Sequence, residues 1–87
     1  MRRYLRLAGE SGVVAYAIAP DAIDVQFVDG QVYTYSYAST GRERVEAMKR
    51  LAQTGRGLST YISQHVGSDY AARRQAGKVT RKQQPRP

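Results

Sequence analysis

The stretch QFVDGQVYTYSYAS, residues 26–39, holds three tyrosines, Tyr33, Tyr35 and Tyr37, spaced two apart directly after an Asp-Gly pair. A period of two is the mark of an extended strand, in which alternate side chains share a face. The segment before it, AIDVQFV at residues 22–28, alternates as well, with Ile23, Val25 and Phe27 on one side and Asp24 and Gln26 on the other. Two alternating strands around a turn make a hairpin, and the loop length decides which residues share a face. A two-residue turn at Asp29-Gly30 sets Phe27 opposite Val32 and leaves both faces mixed. A three-residue loop, Val28-Asp29-Gly30, with Gly30 in the left-handed region, sets Val25 opposite Tyr33 and Phe27 opposite Gln31. Ile23, Val25, Phe27, Tyr33, Tyr35 and Tyr37 then form one face, and Asp24, Gln26, Val32, Thr34 and Ser36 the other. The second register gives an amphipathic sheet and is the one expected, although Asp-Gly alone favours the tight turn.

Working outward, VVAYAIA at residues 13–19 is apolar and rich in β-propensity, and Pro20-Asp21 ends it in a turn, which adds a third strand. After Tyr37 the period becomes helical. Thr40-Gly41-Arg42-Glu43 reads as a capping box, followed by an apolar stripe of Val45, Met48, Leu51 and Ala52 and a Glu46–Arg50 pair worth about 0.2–0.5 kcal/mol. Gly55-Arg56-Gly57 forms a corner, and LSTYISQHV at residues 58–66 supplies a second helix with Leu58, Tyr61, Ile62 and Val66 along one side and Gly67 just past its end. The expected fold is therefore α+β: a three-stranded antiparallel β-meander followed by two helices packed on its tyrosine face, in the order β-β-β-α-α.

Eighty-seven residues without cysteine allow one small domain held by packing alone, with no disulfide and no Cys-based zinc site. The net charge of +7 is unevenly placed. Within residues 13–66, Arg42, Arg44, Lys49, Arg50 and Arg56 are matched by Asp21, Asp24, Asp29, Glu43 and Glu46. Residues 1–12 carry Arg2, Arg3 and Arg6 against Glu10, and residues 67–87 carry Arg73, Arg74, Lys78, Arg81, Lys82 and Arg86 against Asp69. A basic arm at 1–10, a neutral domain at 11–67 and a disordered basic tail at 68–87 are expected, because the tail has few large apolar groups with which to offset the entropy of ordering. No apolar run is long enough for a signal peptide or a membrane span, so a cytoplasmic location is expected.

The order of the IDVQF strand, the Asp-Gly turn, VYTY, a helix and then GRGLSTYISQHV resembles the KTSC domain, a short module named for its place at the C-terminus of some lysyl-tRNA synthetases and also found as a stand-alone bacterial protein. The resemblance covers about residues 11–66. Its marks are a Tyr-x-Tyr at Tyr33 and Tyr35, preceded by Phe27 and Gly30 and followed by Gly57 at the start of the last helix. RNA binding is what the resemblance implies; an aminoacylation role is not, since no synthetase body is present.

Two readings of the tyrosines compete: a platform on which bases stack, and the buried face of a small sheet, of which the second is favoured. Arg56, between two glycines at a helix start, is the best candidate within the domain for an anion contact. His65 stands alone, without the acid, nucleophile or metal partners that catalysis needs, so no enzyme and no cofactor are expected. The basic flanks carry the functional signal. Arg2, Arg3, Arg6, Arg56, Arg73, Arg74, Lys78, Arg81 and Lys82 are the candidate phosphate contacts of a nucleic-acid-binding module, RNA ahead of DNA. The alternative is a protein-interaction module docking through a sheet edge or its helices. Open strand edges and a thin core also raise the expectation of a homodimer.

Overall fold

The computed structural model describes residues 1–6 and 12–75. It contains a five-stranded antiparallel sheet in sequential order, β1 (Arg2–Arg3), β2 (Val13–Ala19), β3 (Ala22–Phe27), β4 (Gln31–Ser36) and β5 (Ala72–Gln75). Three helices, α1 (Tyr37–Thr40), α2 (Arg42–Thr54) and α3 (Leu58–Tyr61), follow β4, and α3 runs into a single π-helical turn at Ile62–Val66. The expected three-stranded meander with two helices is thus corrected. Its three strands form the centre of a wider sheet, and the outer two come from segments assigned to the arm and the tail.

The hairpin adopts the three-residue loop. Val25 lies opposite Tyr33, Ile23 opposite Tyr35 and Gln26 opposite Val32. Gly30 makes this possible with φ 89°, a conformation glycine adopts without strain. Its N–H donates to the Phe27 carbonyl at 2.9 Å, and the Gln31 N–H donates to Asp29 Oδ1 at 3.0 Å. Between β2 and β3 a bulge at Val13/Ala15 inserts one residue, so that Val13 and Tyr16, three apart, both face the core.

The core lies between one sheet face and the helices. Val13, Ile23 and Val25 from the sheet meet Val45, Met48 and Leu58 from the helices, all fully buried. Tyr4, 2% exposed, joins them from just beyond β1: its backbone N–H donates to the Val14 carbonyl (2.9 Å) and its hydroxyl accepts from the Leu58 N–H (3.1 Å). The first residues are therefore built into the domain. Val32 is also fully buried, but on the opposite face and outside this cluster, with Gln26 and Arg74 as its cross-strand neighbours. Alternation alone assigned it to an open face.

The chain turns from sheet to helix earlier than the sequence suggests. Ser36 caps α1, accepting from Ser39 N–H (3.1 Å) while Ser39 Oγ accepts from Ser36 N–H (3.2 Å), which places Tyr37 in a helix and not on the sheet face. The expected box at Thr40 does not form. Gly41 stands before α2 with φ 102° and no side-chain cap, and the Thr40 hydroxyl donates instead to the Asp69 carbonyl at 2.6 Å. At the other end of α2, Gly55 takes the left-handed conformation and donates to the Leu51 carbonyl. The Glu46–Arg50 pair is replaced by Glu46–Lys49 at 2.8 Å.

Candidate nucleic-acid interface

Near the π-helical turn Phe27 of β3 and Tyr33 of β4 are only partly buried. Phe27 meets Tyr33 edge-on (5.3 Å between centroids), and the Tyr33 and Tyr35 rings lie nearly parallel at 6.4 Å. Tyr70, from the connection to β5, sets its ring edge-on to both. Phe27, Tyr33 and Tyr35, with Ile62 and Gly67, line an open, mainly apolar cavity of about 340 Å³, and Val28 and Asp29 complete its wall. The two tyrosines of the Tyr-x-Tyr divide the roles weighed for them. Tyr35 is 1% exposed and belongs to the core, whereas Tyr33 is half-buried at the cavity wall.

Burial, and then the charges that would develop on Tyr33 and Tyr70, push the Tyr35 hydroxyl from its ordinary value of 10.0 up to about 12. A raised folded-state pKa means that the folded protein holds this proton more tightly than the unfolded chain does. Its stabilising contribution is complete below pH 10 and is lost as pH rises from there through about 12. An alkaline titration followed by tyrosinate absorbance and circular dichroism is expected to show stability declining in that window, with Tyr35 ionising as the fold melts.

Strand β5 sets two arginines beside this wall. Arg73 lies opposite Tyr33 in the sheet register and Arg74 opposite Val32, so their side chains leave opposite faces. The neighbouring Tyr33 hydroxyl, and then Tyr70, hold the pKa of the Arg73 guanidinium above the usual arginine value. Arg74 instead reaches Asp24 Oδ2 on the outer face at 3.2 Å. Arg73 is therefore the cation at the aromatic wall, and Arg74 is already engaged by a carboxylate.

The other candidate cations are spread out. Arg2 and Arg3 lie on β1, at the far edge of the sheet, about 19 Å from β5 by the usual strand spacing. Arg2 and Arg73 nevertheless end one cross-strand row, through Tyr16, Val25 and Tyr33. Arg6, with φ 61°, follows Tyr4 and Leu5. Arg56 is exposed on the glycine corner between α2 and α3 and is not among the residues that line the cavity. Gly57, at the start of α3 with φ 84°, shapes that same corner, whereas Gly30 sets the hairpin beside the cavity. Lys78, Arg81 and Lys82 lie outside the described residues. What sequence reasoning missed is Tyr70 and the strand that follows it; the one large aromatic side chain in an otherwise polar tail was the available signal.

Tyr37, the third tyrosine of the opening stretch, serves elsewhere. Its hydroxyl donates to Glu46 Oε2 at 2.6 Å, which raises its own pKa, and Arg42 and Lys49 stand over its ring at 5.9 and 5.5 Å. Lys49 first, and then Tyr37, hold the Glu46 carboxylate below its ordinary value. His65 is exposed and packs on Tyr61, 4.8 Å between rings. Among the described residues no three His, Cys, Asp or Glu side chains gather into a metal-binding group, and no helix is long and apolar enough to cross a membrane.

The fold and this wall define an α+β module with an aromatic cavity under a basic strand edge. No family model, curated protein or solved structure matches the chain.

Proposed function

We propose that this chain is a small, non-enzymatic, KTSC-like module that binds nucleic acid, RNA ahead of DNA, with Arg73 as its central phosphate contact. The observation that carries the reading is the placing of Arg73: an exposed arginine on the edge strand of the sheet, cross-strand neighbour of Tyr33 in the aromatic wall. Guanidinium groups suit phosphate oxygens, with which they form paired hydrogen bonds. Single-stranded RNA is favoured because its loops present unstacked bases to aromatic side chains, whereas a duplex conceals their faces. Arg2 and Arg3 extend the positive potential along the far edge, and Arg56 adds to it from the helix corner.

The test is a salt titration of binding to labelled single-stranded RNA, single-stranded DNA and duplex DNA. Affinity for RNA is expected in the micromolar range or weaker, falling steeply with added salt. Arg73→Ala is expected to lower the slope of log K against log salt by about 0.7, the share of one contact to a single strand. Arg74→Ala is expected to lower it less, because Asp24 already holds that guanidinium. An unchanged slope in Arg73→Ala would refute the assignment. Binding confined to proteins and persisting at high salt would favour the protein-interaction reading instead.

A further inference from the structure

Counterion release accounts for affinity to any polyanion, but it gives no use for the cavity beside Arg73. Its volume of about 340 Å³ lies at the small end of ligand pockets, which run from about 300 to 1,000 Å³. That is room for one planar ring system, not for a dinucleotide cofactor. Its walls are the rings of Phe27, Tyr33 and Tyr35 with the aliphatic Ile62, surfaces that take a flat apolar face. Asp29 closes the wall on the hairpin side, and Arg73, the cross-strand neighbour of the lining residue Tyr33, supplies a cation next to it on the same sheet face. One Asp29 oxygen accepts from the Gln31 N–H, which fixes the carboxylate in place. The larger groove along α2 offers no such combination, since Arg42 and Arg50 there stand among Glu43 and Glu46.

We propose that this cavity receives a single unpaired base of a single-stranded nucleic acid, with the adjoining phosphate on Arg73 and the base edge turned to Asp29. The inference rests on the nucleic-acid reading above and gives it a site. A base stacked against Tyr33 uses a face that every base has, so the cavity admits all four. The Asp29 carboxylate accepts hydrogen bonds only. It therefore favours adenine, cytosine or guanine, whose exocyclic amino groups donate, over uracil, whose single edge donor, N3–H, is flanked by two carbonyl acceptors that repel a carboxylate. The π-helical turn contributes to the opening. The Gly67 N–H bonds back to the Ile62 carbonyl at 2.7 Å, which ends the helix with Gly67 at the cavity and places no side chain over its mouth.

The decisive experiment uses the full chain and RNA nonamers made of abasic residues, either throughout or with one central base. The phosphates are the same in all of them. Adding a central adenine, cytosine or guanine is expected to tighten binding about tenfold, uracil less, and Tyr33→Leu is expected to erase the gain while leaving binding of the abasic strand in place. Tyr33→Phe, which keeps the ring, is expected to retain it. Should Tyr33→Leu fail to fold, the comparison of abasic with base-bearing strands on the unchanged protein still decides. Equal affinity for the two strands would overturn the base site alone and leave phosphate binding standing. No binding of either strand at low salt would overturn the nucleic-acid reading and this inference with it.

Discussion

Replacing Tyr4 with alanine is expected to lower the unfolding free energy by about 3–5 kcal/mol, as large aromatic truncations in cores do. For a domain of this size that corresponds to a fall in melting temperature of roughly 15–30 °C, enough to leave much of the population unfolded. The side chain is 2% exposed and sits in the main core cluster, so its loss opens a cavity where β1 meets the helices. Its hydroxyl is also the acceptor for the Leu58 N–H at the start of α3. Tyr4→Phe keeps the ring and removes only that acceptor, with an expected cost of about 1–3 kcal/mol for a buried donor left unmade. Urea denaturation of the two variants separates the contributions. A Tyr4→Ala protein as stable as the parent would mean that the first residues do belong to a detached arm, against the geometry of β1.

Tyr4 also shows why part of this fold was legible in the sequence and part was not. The central hairpin could be read because two independent constraints agreed: the alternation of Ile23, Val25 and Phe27, and a glycine placed to accept a positive φ at position 30. The stripes of α2 and of the last helix were equally readable, and Val45, Met48, Ala52, Leu58, Ile62 and Val66 are buried. The outer strands have no such pattern. Arg2–Arg3 and Ala72–Gln75 contain no β-branched residue, and every residue in both is exposed. They are extended because the edges of β2 and β4 offer unpaired backbone groups, a tertiary cause that local propensity does not record. Each is anchored by a neighbouring tyrosine, Tyr4 or Tyr70, and these two aromatic residues in basic, polar surroundings were the clue. The helix start failed for another reason. SYASTGRE holds two overlapping capping signals, and the one at Ser36 and Ser39 forms while Thr40 turns to Asp69. The candidate site follows the same division: Phe27, Tyr33 and Tyr35 were readable from the hairpin, whereas the pairing of Arg73 with Tyr33 depends on a strand that composition assigned to the tail.

Ending the chain after Gly67 is expected to cost about 2–4 kcal/mol and to make the protein associate further with rising concentration than the full chain does. The deletion removes the Tyr70 ring from its edge-on contacts with Tyr33 and Tyr35, each such pair contributing about 0.5–1.5 kcal/mol. It also removes the Asp69 carbonyl that accepts from Thr40, and the Ala71 N–H that donates to the Thr34 carbonyl at 2.7 Å. With β5 gone, β4 becomes the sheet edge. Its residues Gln31–Ser36 carry no charge, so nothing on the strand opposes pairing with another chain, whereas β5 in that position presents Arg73 and Arg74. Thermal denaturation and light scattering across a range of concentrations measure both effects, and a truncated protein that associates no more than the full chain and keeps its full stability would show that β5 adds nothing to the packing. The same reasoning governs how the basic C-terminal region should be tested for nucleic-acid binding. Loss of binding on truncation would mix the loss of six basic residues, Arg73, Arg74, Lys78, Arg81, Lys82 and Arg86, with the collapse of the aromatic wall, whereas Arg73→Ala removes one exposed charge and leaves β5 paired. Only the substitution isolates the phosphate contact.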